Sequence, residues 1–173
     1  MNWDAAGAIG EILGALAVGF SLLYLARQLQ INARQQKVEG HRAISEEFNR
    51  IADMWVDLEK TGMMVRAWSS WETASAQEQH IASVFLIKNL NHVQTMYFMW
   101  NSKGIDDSVY LAEENFLCSV LASNGGRAFW EIFRQDAVEG FRARINTKLE
   151  SGSIVPVTEA VPFWNAEKWH RLT

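Results

Sequence analysis

Basic residues are missing from the first 26 positions of this 173-residue chain, where neither Lys nor Arg occurs. Cysteine is nearly absent as well: Cys118 stands alone, which excludes an internal disulfide and fits a reducing compartment. Only two prolines occur, Pro156 and Pro162, both close to the C-terminus. The net charge is −4 and no basic stripe exists to neutralise phosphates, which argues against a nucleic-acid partner. Neither HExxH nor CxxC is present, and His41, His80, His92 and His170 show no metal-ligand spacing with one another or with a carboxylate, so no metal or cofactor is expected. Alternating β patterns are also missing, apart from a short extended stretch near 154–157, and no internal repeat is present.

What is abundant is apolar mass. Hydrophobic residues make up 49% of the chain, against 21% charged, with eight Trp and nine Phe. That supports a packed core and excludes disorder. The longest apolar run, Ala5 to Ala26, has Glu11 and Ser21 as its only clearly polar members. As a helix it measures about 33 Å, enough for a hydrocarbon core of about 30 Å. A cleaved signal peptide is the poorer reading, because Met-Asn-Trp-Asp supplies no positive n-region and Leu25-Ala26-Arg27-Gln28 no small-residue cleavage site. The run reads as an uncleaved membrane anchor; the alternative is a buried core helix of a soluble protein. Arg27, Arg34, Lys37 and Arg42 follow it, so the positive-inside rule places the N-terminus outside and the rest of the chain in the cytoplasm, with Trp3 and Tyr24 at the two interfaces.

Turned by about 100° per residue, the run separates into two faces. Gly7, Gly10, Glu11, Gly14, Val18 and Ser21 share one; Ile9, Leu13, Leu16, Phe20 and Leu23 share the other. Bulk suits lipid. The small face suits close approach of a second helix, and Gly10 to Gly14 has GxxxG spacing. Glu11 then belongs to the face that meets protein, which is where an acid inside a membrane is tolerable. The alternative is a shallow Glu11, about 9 Å in from Ala5, reaching up to the surface. With a single span, the partner helix comes from a second copy or from another membrane protein.

Beyond the anchor the pattern is helix after helix. Ile44, Phe48, Ile51, Trp55 and Leu58 form an amphipathic stripe within 29–60, with a possible break at Gly40 and an end at Thr61-Gly62. A short helical piece is expected over 63–71. Ser75-Ala-Gln-Glu78 matches a capping box and opens a long helix to about Ser102, apolar nearly all round and including Ile87, Leu90 and Phe98, which should be central to the domain. Lys103-Gly104 ends it, Asp106 or Asp107 caps a helix to about Ser123, and Asn124-Gly125-Gly126 punctuates before helices at 127–135 and 137–150. The expected organisation is an anchor (1–28), a helical cytoplasmic domain (29–150) and an irregular tail (151–173) packed on it, with Trp164 and Trp169 clamping the bundle or, as the alternative, marking a partner surface.

No catalytic constellation emerges. Glu113 and Glu114 are neighbours, so on a helix they point apart and cannot act as a pair. Cys118 lies on an apolar face and reads as an inert thiol. His92, a turn from Asn89, reads as a core residue before a ligand. Gly125-Gly126 precedes a helix without any further phosphate-binding pattern, and Arg127 is expected to fix that loop.

The opening NWDAAGAIGEILGALAVGFSLLYLARQ with the following QINARQQ, and the later SNGGRAFWE at 123–131, resemble the two ends of a family of small bacterial membrane-anchored proteins. The resemblance implies a bacterial inner-membrane protein with one N-terminal span and a helical cytoplasmic domain, and carries no activity with it; the charge bias then puts the N-terminus in the periplasm. The expected fold is therefore all-α. The expected function is a membrane-anchored interaction or scaffold protein, not an enzyme, that assembles through Gly7, Gly10, Glu11, Gly14 and Ser21. The alternative is a small homo-oligomeric ion channel with Glu11 lining the pore.

Overall fold

The computed structural model describes residues 3–161, and for Trp3–Gly10 and Ala15 the backbone alone. Trp164, Trp169, Pro162 and His170 lie outside the described residues, as does the expected clamp. Seven α-helices are found among the described residues and no strand, so the fold is all-α. The chain divides into two units, 1–40 and 41–173.

The first unit is helical throughout its described residues, which belong to α1 (Trp3–Val56). Among the described residues this is the one helix long and apolar enough to cross a membrane, and none of its most apolar window is buried. Gly40 is helical, so the expected break does not occur.

The second unit begins with the remainder of α1 and continues through α2 (Leu58–Ser69), α3 (Ala76–Asn101), α4 (Asp107–Leu121), α5 (Asn124–Phe133), a tighter turn at Arg134–Asp136, α6 (Glu139–Glu150) and α7 (Val157–Ala160). Its core is built from Trp68, Phe85, Met96, Leu117, Phe129, Phe141 and Ile145, all buried.

The breaks between helices follow from particular side chains. α1 ends at Val56, not at Thr61-Gly62, because Asp57 caps α2 by accepting from the Lys60 N–H at 3.1 Å. Thr61 lies inside α2, and its hydroxyl donates to the Trp55 carbonyl at 3.0 Å, satisfying an acceptor that the end of α1 leaves open. The Ser75–Glu78 capping box forms as expected: the Ser75 N–H donates to Glu78 Oε2 at 2.8 Å, and the Glu78 N–H to Ser75 Oγ at 3.3 Å. Arg66 Nε donates to the same Glu78 at 2.5 Å, tying α2 to the start of α3. These bonds, with that from Arg66 foremost, hold the Glu78 carboxyl below its ordinary pKa.

α3 is central, packing on both α2 and α4, but it is buried along one face only. Leu90 belongs to that face, whereas Ile87 and Phe98 are exposed, at 37% and 52%. A helix wrapped from one side leaves some apolar residues of its other side in solvent. Lys103 takes the left-handed backbone (φ 61°) that closes α3, and the Gly104 N–H bonds the Met99 carbonyl at 2.7 Å.

The double glycine is not a break. Ser123 caps α5 by accepting from the Gly126 N–H at 3.1 Å, so Gly125 and Gly126 form the first turn. A Cβ on Gly125 would lie 2.2 Å from the Ala67 carbonyl oxygen, and one on Gly126 2.1 Å from that of Val120. Only hydrogen at these positions lets the start of α5 press on α2 and on the end of α4. Arg127 fixes the corner, its Nε donating to the Ala122 carbonyl at 3.1 Å.

Candidate functional site

Three places among the described residues carry polar groups beside apolar surface. The first is the small face of α1. Glu11 and Gly14 are exposed, and nothing lies within 4 Å of where a Cβ on Gly14 would be. Ser21 is also exposed, and its hydroxyl donates to the Ala17 carbonyl one turn back at 2.8 Å, so its polarity is satisfied within the helix. Gly7 and Gly10 are helical, but their surroundings fall outside what is described. The bulky face is equally open: Leu13, Phe20 and Leu23 are 61%, 70% and 69% exposed.

The second is a buried charge cluster that the sequence did not reveal. Glu114 is fully buried, unlike its neighbour Glu113. It accepts from Tyr110 Oη at 2.7 Å and from Arg144 Nη2 at 3.0 Å, and it pairs with Arg144 Nε and Lys148 Nζ. Burial pushes the carboxyl upward, but the bonds from Arg144, Lys148 and Tyr110 outweigh it and hold Glu114 below the usual carboxylate range. Burial, with the Glu114 bond adding to it, raises the Tyr110 hydroxyl. The Arg144 guanidinium lies 4.9 Å from the Trp100 ring and 5.5 Å from that of Tyr110. Two pairs spaced by four, Tyr110 with Glu114 on α4 and Arg144 with Lys148 on α6, are visible in the sequence; that the two helices face each other is not. With every group engaged, the cluster is a structural lock between α4 and α6. Its cations also act on Cys118, where burial dominates and pushes the thiol up to about 12, the unreactive state expected for it.

The third is a cavity of about 400 Å³ in the second unit, walled by Phe48 and Trp55 of α1, Phe85 of α3 and Phe116 of α4. Trp55 meets Phe85 edge-on at 5.2 Å and Phe116 at 5.9 Å, so the walls are mainly aromatic. Two polar residues also line it, Asn89 and Glu113. Asn89 is 1% exposed, and neither its amide oxygen nor its amide nitrogen has a hydrogen-bond partner among the described residues. Burial raises the Glu113 carboxyl above its ordinary pKa. One turn along α3 from Asn89, His92 is also buried, its ring 6.4 Å from Phe48 and its Nε2 without a partner among the described residues. It lines a neighbouring recess of about 420 Å³ with Glu47 and Lys88. Burial lowers the His92 pKa, and Glu47 opposes that shift.

No cluster of three or more metal-ligating side chains occurs among the described residues. Set against family models, curated proteins and solved structures, the chain matches none of them.

Proposed function

We propose that the chain is a membrane-anchored helical interaction protein, held in a bilayer by residues 5–26 and assembled through the small face of that span, with the helical domain on the cytoplasmic side. One observation carries the reading: from Ile12 to Leu25 the large apolar side chains of α1 are more than half exposed, from 52% at Leu16 to 70% at Phe20. A continuous apolar surface of this kind marks contact with lipid or protein rather than water. Its small side has open space at Gly14 where a second backbone can approach. Glu11 on that side is best placed against protein, since an acid facing acyl chains is costly. The likeness to the family of small bacterial membrane-anchored proteins supports the inner membrane as the location.

The test is the mass of the full chain in detergent, with ion flux in vesicles, for the unaltered protein, Gly14→Leu and Glu11→Gln. Bulk at Gly14 should reduce the oligomer, while the amide at position 11 should preserve it. Unchanged mass in Gly14→Leu, or a chain that stays out of membranes altogether, overturns the reading. Cation flux that is altered in Glu11→Gln at constant mass would make the assembly a channel instead.

A further inference from the structure

We infer that the aromatic cavity between the end of α1, α3 and α4 binds a small methylated ammonium compound, with the cation against the rings of Phe48, Trp55 and Phe116 and beside the carboxylate of Glu113. The inference is independent of the membrane reading, since it rests on residues of the second unit alone.

Only side chains with open surface can meet a ligand. Asn89 and Phe85 are buried, so they form the floor, and neither amide atom of Asn89 is within a ligand's reach. Phe48 is 39% exposed, while Trp55, Glu113 and Phe116 are half-buried. Apart from the methyl groups of Ala52 and Ala112, three aromatic rings and one carboxylate are therefore what a ligand touches. An aromatic face carries negative potential and attracts a cation within about 6 Å of its centre. Trp55 and Phe116 come from different helices with ring centres 5.9 Å apart, close enough for one small ligand to meet both walls.

Glu113 fixes the sign of that ligand. Its neighbour Glu114 holds Arg144 and Lys148, whereas Glu113 has no ion pair or side-chain hydrogen bond among the described residues. Burial alone acts on its carboxyl and raises the pKa. A carboxylate whose desolvation nothing offsets gains from a cation beside it. An anion would add to the cost, and a neutral ring would leave it in place. A primary ammonium has three N–H donors, and the cavity offers no accessible side-chain acceptor beyond the one carboxylate. A quaternary ammonium has no N–H to satisfy, and its methyl groups suit aromatic walls. A volume of about 400 Å³ lies in the range of small-molecule pockets.

The experiment is calorimetric titration of the full chain in phosphatidylglycerol nanodiscs, at about pH 8 to keep the carboxyl ionised and in high salt to screen the lipid charge. Choline is the methylated cation and 3,3-dimethylbutan-1-ol its neutral counterpart of the same shape. Ethanolamine is the cation without methyl groups, and glycerophosphocholine is the methylated cation as a lipid headgroup carries it. Choline should bind, with the other three weaker by about tenfold or more: the alcohol lacks the charge, ethanolamine leaves N–H donors unpaired, and the phosphate of glycerophosphocholine is repelled by Glu113. Glu113→Gln should weaken choline by about tenfold and leave the alcohol unchanged. Phe48→Leu, which keeps apolar bulk and removes the ring face, should weaken choline by about threefold and the alcohol little. Ala112→Trp, on the exposed rim of the cavity, should block choline without touching the core. Should a variant not fold, the probe series on the unaltered protein still decides. No choline binding, equal affinity for choline and any of the other three probes, or choline binding indifferent to Glu113→Gln or to Ala112→Trp each overturns the inference.

Discussion

Residues 11–25 and residues 41–56 belong to the same helix, α1, yet they use apolar side chains in opposite ways. In the first stretch Leu13, Leu16, Phe20 and Leu23 are exposed on one side, and the small residues Gly14 and Gly19 have nothing near them. In the second, Ile51 is buried while Ile44, Met54 and Trp55 pack against the core, and the charged Arg42, Glu46 and Arg50 stay in solvent. The later stretch is an ordinary amphipathic helix whose apolar stripe meets its own chain. The earlier one is left exposed among the described residues, an apolar surface of the kind that meets another phase or another molecule. Helical periodicity alone does not separate the two; the presence or absence of polar residues opposite the stripe does.

The largest expected effect breaks this comparison directly. Phe85 and Phe20 are the same residue type on helices, one buried and one 70% exposed. Phe85→Ala should destabilise the helical domain by about 3–5 kcal/mol through the cavity it leaves. Phe20→Ala should leave domain unfolding within about 0.5 kcal/mol and act on membrane partition instead. Glu114→Gln belongs with the first of these, at about 3–5 kcal/mol, because it strands Arg144 and Lys148 beside a neutral amide. Thermal unfolding of the three variants in nanodiscs checks the ranking, and equal melting of Phe85→Ala and Phe20→Ala would refute it.

A smaller effect sharpens the same contrast at glycine. Gly126→Ala places a methyl group 2.1 Å from a backbone oxygen, which cannot yield as a flexible side chain would, and should cost about 1–3 kcal/mol. Gly14→Ala meets open space and replaces a poor helix former with the best one, so it should leave the domain unchanged and favour its own helix by up to about 1 kcal/mol. Domain melting that falls equally in both variants would mean that the close approach at α5 does not govern stability.

These contrasts also separate what could be read from sequence. The all-α class and the Ser75–Glu78 box were legible because local chemistry decides them: a capping box is satisfied within four residues. Thr61-Gly62 and Gly125-Gly126 misled for one reason. Glycine signals a helix end when no neighbour is considered, whereas here its lack of a side chain serves packing at Gly125 and Gly126, and Asp57 supplies the earlier break. Phe98 is apolar yet exposed, and Glu114 is charged yet buried, because both outcomes depend on which helix lies opposite. The unsatisfied amide of Asn89 is invisible in sequence altogether, since satisfaction is a property of the neighbours. For the α1 face the sequence and the structure contribute different halves: spacing puts Glu11, Gly14 and Ser21 together, and the three are exposed among the described residues.

The smallest effect is a pH dependence in the second unit. His92 is 5% exposed, and burial lowers its pKa below the ordinary 6.5, with Glu47 opposing from α1 and Lys88 beside it on α3. A depressed histidine binds its proton more readily in the unfolded chain than in the fold. Its contribution to stability is therefore complete above pH 6.5 and is lost as the pH falls through that value toward the folded pKa. The limiting slope for one proton is about 1.4 kcal/mol per pH unit. Glu113 acts with the opposite sign: its raised pKa favours the fold at low pH and withdraws that support as the pH climbs from its ordinary 4.5 through the folded value. Glu114, held down, gives way only at more acid pH, below 4.5. As the pH falls the histidine withdraws stability and Glu113 adds it, so single variants are needed to separate them. His92→Gln should lose less stability than the unaltered protein as the pH falls from 6.5, and Glu113→Gln should gain less as the pH falls toward 4.5. Domain melting across pH 7 to 4.5 for the two variants gives the differences, and a loss below pH 6.5 in His92→Gln equal to that of the unaltered protein would show that the buried ring does not titrate against folding.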